Sequence, residues 1–482
     1  MDSEVSVVRD AMARYPSPPF DPPEVYPEFS TADQTVGGVQ ADNRVYPLVR
    51  RSLAELGLDS AHLGTPEWSP MRDVVQPGDH VIIKPNLVLD THPLGLAGVE
   101  AMITHSAVLR PLIDYVWKAA RGHCHISICD VPLQSANWSR LIEFSGLEDL
   151  VRLCRERGMN VDLLDLRYEI AQTNEWELIV NRDRRARDPK GYRTVDLGEC
   201  SYIAEIHEDA NRLEITDYGT GTVARHHGQA KNEYLICGTI LDGDVFINVP
   251  KLKTHKKAGI TVAMKNLIGI NGDKSWIAHH RRGEDEYPEF HLPSYLKWYA
   301  SHYAKRYAPL WVSRLLYWTY QRLVLRKKLS QAVLDQQGGI MEGNWYGNDT
   351  LWRTILDLNN IIFFADKNGQ MQRIRQRKYL TVVDGIIAMD REGPMHGTPR
   401  PEGVVIAGRH PLPVDTVAAQ IMGFDWQKIP CLANGWKERF FGLTPFGPTE
   451  MHVRNVDAAV EGGTPFVPAR GWVGHIEGTT AR

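Results

Sequence analysis

Residues 245–272 read VFINVPKLKTHKKAGITVAMKNLIGING, an uncharged apolar run that passes directly into a cluster of cations. The first residues have the character of a buried core strand, as a parallel sheet supplies. Pro250 ends that run, and Lys251, Lys253 and His255 follow on an extended segment. Residues at i and i+2 of such a segment point the same way, so Lys251 and Lys253 can converge on one anion. His255 brings a side chain that titrates near neutrality and suits proton transfer. Ala258–Ile270 has the apolar spacing of a helix, with Gly259 and Gly269 near its ends. Lys265 and Asn266 lie inside it. A lysine in apolar surroundings loses basicity by desolvation and can become a base or nucleophile. Runs of cations are often only solvated faces. Here they are interleaved with apolar residues, which favours an anion-binding, chemically active stretch.

The segments around it repeat the pattern of strand and helix. VIIKPNLVL, after the turn QPGD, reads as a buried strand with Lys84 at its C-terminal end. In a parallel sheet such a position faces the crevice where ligands bind, so Lys84 can present a point charge and Asn86 hydrogen bonds. A lysine at a strand end is also an ordinary surface feature. Residues 101–119 have helical spacing around Pro111, HISICDV (125–131) reads as a second strand, and YLTVVDGII (379–387) and GVVIAG (403–408) as two more. Residues 413–422 form a short helix capped near His410, with Asp415 as a charge on its dipole. Asp384 and Glu392 are carboxylates the sheet could aim at the same crevice, or turn residues. The expected fold is α/β, a layered, mostly parallel sheet with helices on both faces and a helical basic-aromatic insertion.

A chain of 482 residues is long for one ordinary core. We divide it into an N-terminal, proline-rich extension (1–78, with an amphipathic helix near 45–56), a first core part (79–275), the insertion (276–350), and a second core part with a tail (351–482). Net charge is only −4, with 43% apolar residues, so nothing global argues for nucleic acid. The six cysteines are scattered without a C-x-x-C pair, which suits neither a metal or iron–sulfur site nor a disulfide framework. No metal site is therefore assigned. The first residues carry acids and no apolar core, and no membrane-spanning run is present, so a cytoplasmic location is expected.

Residues 290–334 stand apart: eight Lys and Arg, no Asp or Glu, and many interleaved Trp and Tyr. That composition suits an interfacial helix, so contact with an anionic membrane surface at its inner face is one expectation. Packing on the protein itself is the other. Asn344–Arg353, NWYGNDTLWR, combines rings with amides and acids, a mix that suits sugars. It also suits a helix N-terminus capped by Asn348 or Asp349, with Trp352 in the core.

There is no G-x-G-x-x-G after a strand, no P-loop, no H-E-x-x-H and no G-x-S-x-G. The set KPN (84–86), NVPKLKTH (248–255), MKNLIG (264–269), VVDGI (382–386), EGP (392–394) and PVDTVAAQIMG (413–423) resembles the domain of unknown function numbered 362. Many members of that family carry a ferredoxin-like cysteine cluster, which this chain lacks. Over about 25 residues the chain is also distantly similar to the nickel-pincer lactate racemase superfamily, with His255 and Lys265 at the matching spacing. That resemblance implies an acid/base role for His255 and cofactor anchoring for Lys265, although Ala263-Met264 stands where the racemases have Gly-Gly. The insertion and the NWYGNDTLWR cluster resemble members associated with polysaccharide biosynthesis. Together these readings give an enzyme acting on an anionic small molecule or glycan-related substrate. His255 and Lys265 would be catalytic; Lys84, Asn86, Lys251, Lys253, Asn266, Asp384 and Glu392 would bind substrate. A membrane-peripheral assembly factor and a metal- or cofactor-dependent oxidoreductase or isomerase are the alternatives, and the cofactor is left open.

Overall fold

The computed structural model describes residues 2–29, 37–173, 179–215, 222–283, 342–437, 439–455 and 464–478, with Tyr218, Asp285 and Leu315. Its centre is a sheet of ten strands: β1 (Glu4–Arg9), β2 (His80–Pro85), β3 (His125–Asp130), β4 (Val161–Asp165), β5 (Val245–Val249), β6 (Lys251–His255), β7 (Gly259–Thr261), β8 (Lys378–Asp390), β9 (Thr398–Gly408) and β10 (His452–Arg454). Eight run side by side in the order β10-β1-β9-β8-β5-β2-β3-β4, and β6 pairs with β8 and β7. The run from β8 through β5, β2, β3 and β4 is wholly parallel. β9 is antiparallel to both β8 and β1. The mostly parallel, layered α/β fold expected from the sequence is therefore present.

Alternate residues of each central strand feed two cores. In β5, Val245, Ile247 and Val249 enter one, and Phe246 enters the other. This is what a pleated strand buried on both faces requires. On the first face lie α1 (Val45–Glu55), α2 (Leu96–Met102) and α3 (Ser106–Ala119), whose Tyr46, Val49, Leu109, Leu112 and Val116 are buried there. On the second lie α4 (Ala263–Asn266), α5 (Leu351–Phe364) and α6 (Pro411–Ile421). α6 is capped as expected, its Leu412 N–H donating to His410 Nδ1 at 3.2 Å.

Three local expectations differ. The helix read over 101–119 is two helices, broken at Ile103–His105. There Thr104 Oγ1 donates to Val249 O and accepts the Asn86 N–H, fastening the break to the ends of β5 and β2. The helix read over 258–270 is instead a hairpin strand followed by short turns. Gly259 takes φ of 78°, a left-handed conformation that folds β7 back on β6, and Asp415 collects the Ala263 and Met264 N–H groups to start α4. Residues 1–78 are more than an extension: β1 lies between β9 and β10 and buries Val5, Val7 and Val8.

The basic-aromatic segment 290–334 lies outside the described residues, Leu315 excepted. No helix among the described residues is long and apolar enough to cross a membrane. Deleting residues 1–10 removes β1 and strips the partner from β9. The expected result is loss of a cooperative thermal unfolding transition by circular dichroism. A truncated chain melting within a few degrees of the full one would show that β1 is dispensable.

Candidate functional site

The chain runs from β2 outward through β3 to β4, then returns to place β5 on the other side of β2. That reversal falls between β2 and β5, whose C-terminal ends are the usual ligand position in such sheets. Three strand ends meet there. Lys84 of β2 donates to Asp130 of β3 at 2.7 Å and to Asn266 Oδ1 at 3.2 Å. Asp130 also accepts the Leu87 and Val131 N–H groups. Asn266 accepts from Asn86 Nδ2 and donates to Asn248 Oδ1, while Asn248 donates to Ala263 O and Tyr379 Oη. Gly269 packs so closely that a Cβ there would lie 2.2 Å from Asp130 Oδ1. Lys84, Asn86 and Asn266 are thus brought together, but the Lys84 charge is offset by Asp130 and is not free.

Lys251 is offset in the same way. Its ammonium contacts Asp384 at 3.1 Å and the Tyr15 hydroxyl at 2.5 Å, and all four groups around Asp384 are donors: Lys251, Tyr15 Oη, His105 N and Ile386 N. Both ionic partners are fully buried. Lys251 and Lys253 therefore do not meet on one anion as free cations. Lys253 is different: its ammonium donates to Met102 O at 2.7 Å and has no carboxylate partner among the described residues. Burial first, then the neighbouring Lys251 and Lys265 charges, hold its pKa well below the usual lysine range.

His255 is buried at the end of β6. Its Nδ1 accepts the Lys257 and Ala258 N–H groups at 3.0 and 3.2 Å, so the ring proton of the neutral form belongs on Nε2. Burial, then Lys265 and Lys253, push its pKa well down, which keeps the ring neutral. Lys265, on α4, is half-buried and has no hydrogen-bond or ionic partner among the described residues. Burial and the Lys274 and Lys257 charges pull it down to about 7. Lys274 donates to Val131 O and Pro132 O, lacks a carboxylate partner among the described residues, and is likewise lowered to about 7, by burial first. His279 shares the region, with its pKa pushed well down by burial and by Lys265.

Asp384 and Glu392 are held elsewhere. Glu392 accepts the Arg470 N–H at 2.8 Å, although its loop abuts β6 through Lys256 N–H to Gly393 O. Residues the sequence reading passed over include Asp130, Tyr15, Lys274 and His279. Asp130 stands at the end of a core strand, the same signal that singled out Lys84. Nothing local marks Tyr15. Asp415 was read as a dipole charge, yet it is buried, pushed up to about 7 by desolvation, and starts α4 from a distance. In NWYGNDTLWR, Asn348 Oδ1 accepts the Thr350 and Leu351 N–H groups and Trp352 packs in the core. These groups hold the start of α5.

Among the described residues no group of three His, Cys, Asp or Glu is placed to hold a metal ion. Lys265 lines a small cavity next to α6. That cavity is walled by Ala258, Ile260, Ile355, Ile429 and Leu432 beside Asp415 and Cys431, and has room for about one water molecule.

Residues 190–420 match the model of the family described as Domain of unknown function (DUF362). This part of the chain is similar to the DUF362 family. No curated protein matches the chain. The DUF362 region contains β5 to β9 with His255, Lys265 and Lys274, whereas Lys84, Asn86 and Asp130 precede it. The two parts are joined by the Lys84 network. Lys84→Met leaves Asp130 buried without its cation, and is expected to cost about 3–5 kcal/mol in urea unfolding. Adding Asp130→Asn, which removes the buried charge and keeps an acceptor for one of the Leu87 and Val131 N–H groups, should recover part of that loss. A single variant as stable as the wild type would show the pair to be incidental.

Proposed function

We propose that the chain is an enzyme that binds an anionic small molecule and moves a proton on it in the crevice lined by Lys253, His255, Lys265 and Lys274. The observation that carries this reading is charge without counter-charge. Lys84 and Lys251 each have a carboxylate, but Lys253, Lys265 and Lys274 have none among the described residues. Gathering uncompensated ammonium groups below the surface costs free energy, and such sites are characteristically functional. The six unbridged cysteines fit a reducing, cytoplasmic setting.

The roles divide by protonation. His255, pinned through Nδ1, offers Nε2–H as a donor to developing negative charge or to a leaving group. Lys265, near pKa 7, exchanges a proton at neutral pH and serves as the base in its amine form. The amine fraction grows as pH rises, so a rate limited by this base climbs through pH 7. Stability follows the same direction. The unfolded lysine keeps its proton up to about 10.4, so between roughly 7 and 10 the unfolded state binds more protons and this group's destabilising contribution fades as pH rises.

The test is to incubate the purified chain with a metabolite extract and compare mass spectra before and after. The wild type is expected to consume an anionic metabolite with a rate limb centred near pH 7, and His255→Gln and Lys265→Met are expected to leave that metabolite untouched. Lys265→Met should also be more stable by about 1–2 kcal/mol, because it removes a poorly solvated amine. Equal turnover by both variants, or none by the wild type, would overturn the proposal.

A further inference from the structure

Resting on that reading, we infer that Asp415 receives the proton that Lys265 abstracts, through one water molecule held in the cavity the two residues share. Lys265 on α4 and Asp415 on α6 line the same small space, with Cys431 of the short helix Pro430–Gly435 beside them. The rest of its wall is apolar. A cavity of one water's size holds that water when two to four polar groups line it, and these three side chains supply them. The backbone fixes the acid against the turn that carries the amine. Asp415 accepts the Ala263 N–H at 2.7 Å through one oxygen and the Met264 N–H at 2.9 Å through the other. Lys265 is the next residue. Each carboxylate oxygen keeps a second lone pair, and no cation pairs with Asp415 among the described residues.

Once Lys265 has taken a proton it is a buried ammonium whose cationic neighbours are Lys274, Lys257 and Lys84. Moving that proton to the Asp415 carboxylate removes two buried charges at once, which desolvation favours. In the step an ammonium N–H bond breaks as a water O–H bond forms. Another O–H bond of that water breaks as the carboxyl O–H forms. The water is restored, no electrons are exchanged, and Lys265 is again a base. The two groups are matched for the transfer, since burial brings both to about 7, the lysine from above and the acid from below. Burial keeps Cys431 and Tyr379, the other titratable neighbours of Asp415, protonated. It also keeps His255 and His279 neutral, so none of these four competes for the proton.

The experiment is a nuclear magnetic resonance titration of the full chain, reading Lys265 through isotopically methylated lysines and Asp415 through isotopically labelled aspartate carboxyls. Removing one member removes the charge the other feels. Asp415→Asn is therefore expected to lower the Lys265 midpoint by about one unit, and Lys265→Met to raise the Asp415 midpoint by about as much. Lys265→Met takes out a buried amine and is expected to fold, so the second arm decides the question if Asp415→Asn does not fold. A role for Asp415 confined to bracing the turn would move neither midpoint. Wild-type midpoints near 7 that neither substitution shifts would overturn the relay and leave the proton-transfer site standing. A wild-type Lys265 midpoint above about 10 would overturn the site reading itself.

Discussion

The contact between Lys84 and Asp130 fixes the ends of two adjacent parallel strands and, through Asn266, the turn that carries Lys265. A buried ion pair of this kind contributes little net stability, since desolvation offsets most of the attraction. Its effect is geometric. Asp130 uses its remaining acceptor capacity on the backbone just past β2 and β3, and Gly269 has no room for a side chain beside the pair. The strand ends, the break between α2 and α3, and the Asn248–Asn266 link are all set around it.

Around that fixed point the molecule sorts its lysines into two classes. Lys84 and Lys251 have carboxylates and donors arranged about them, and act as fasteners. Lys253, Lys265 and Lys274 have carbonyls or nothing, and no carboxylate among the described residues to offset their charge when protonated. The first class ties separate parts of the chain together, with Tyr15 reaching from the N-terminal segment to Lys251 across 236 residues of sequence. The second class is what a ligand can use. The chemical reading follows from this division and not from any single residue.

Much of the fold was legible because unbroken apolar runs such as VFINV permit few other readings. The parallel order follows from several such runs separated by helical spacing. The segment 258–270 was misread because its apolar residues satisfy helical spacing as well as they satisfy a hairpin. The deciding groups are Gly259, whose conformation is backbone-specific, and Asp415, which is remote. At the site, the cluster from Lys251 to Lys265 could be found from local pattern alone. Which of its cations are free could not, because the partners that decide it, Asp130, Asp384 and Tyr15, come from other strands and from the N-terminal segment. Strand-end position, the rule applied to Lys84, would have found Asp130 had it been applied to every strand.

The account turns on Lys265 being an amine at neutral pH in the free protein. The most direct measurement is its titration by nuclear magnetic resonance, with the lysines isotopically methylated and Lys265→Met used to assign the signal. A midpoint near 7 is expected. A midpoint above 10, the value of a solvated lysine, would mean that the ammonium is compensated and that the crevice holds no unmet charge.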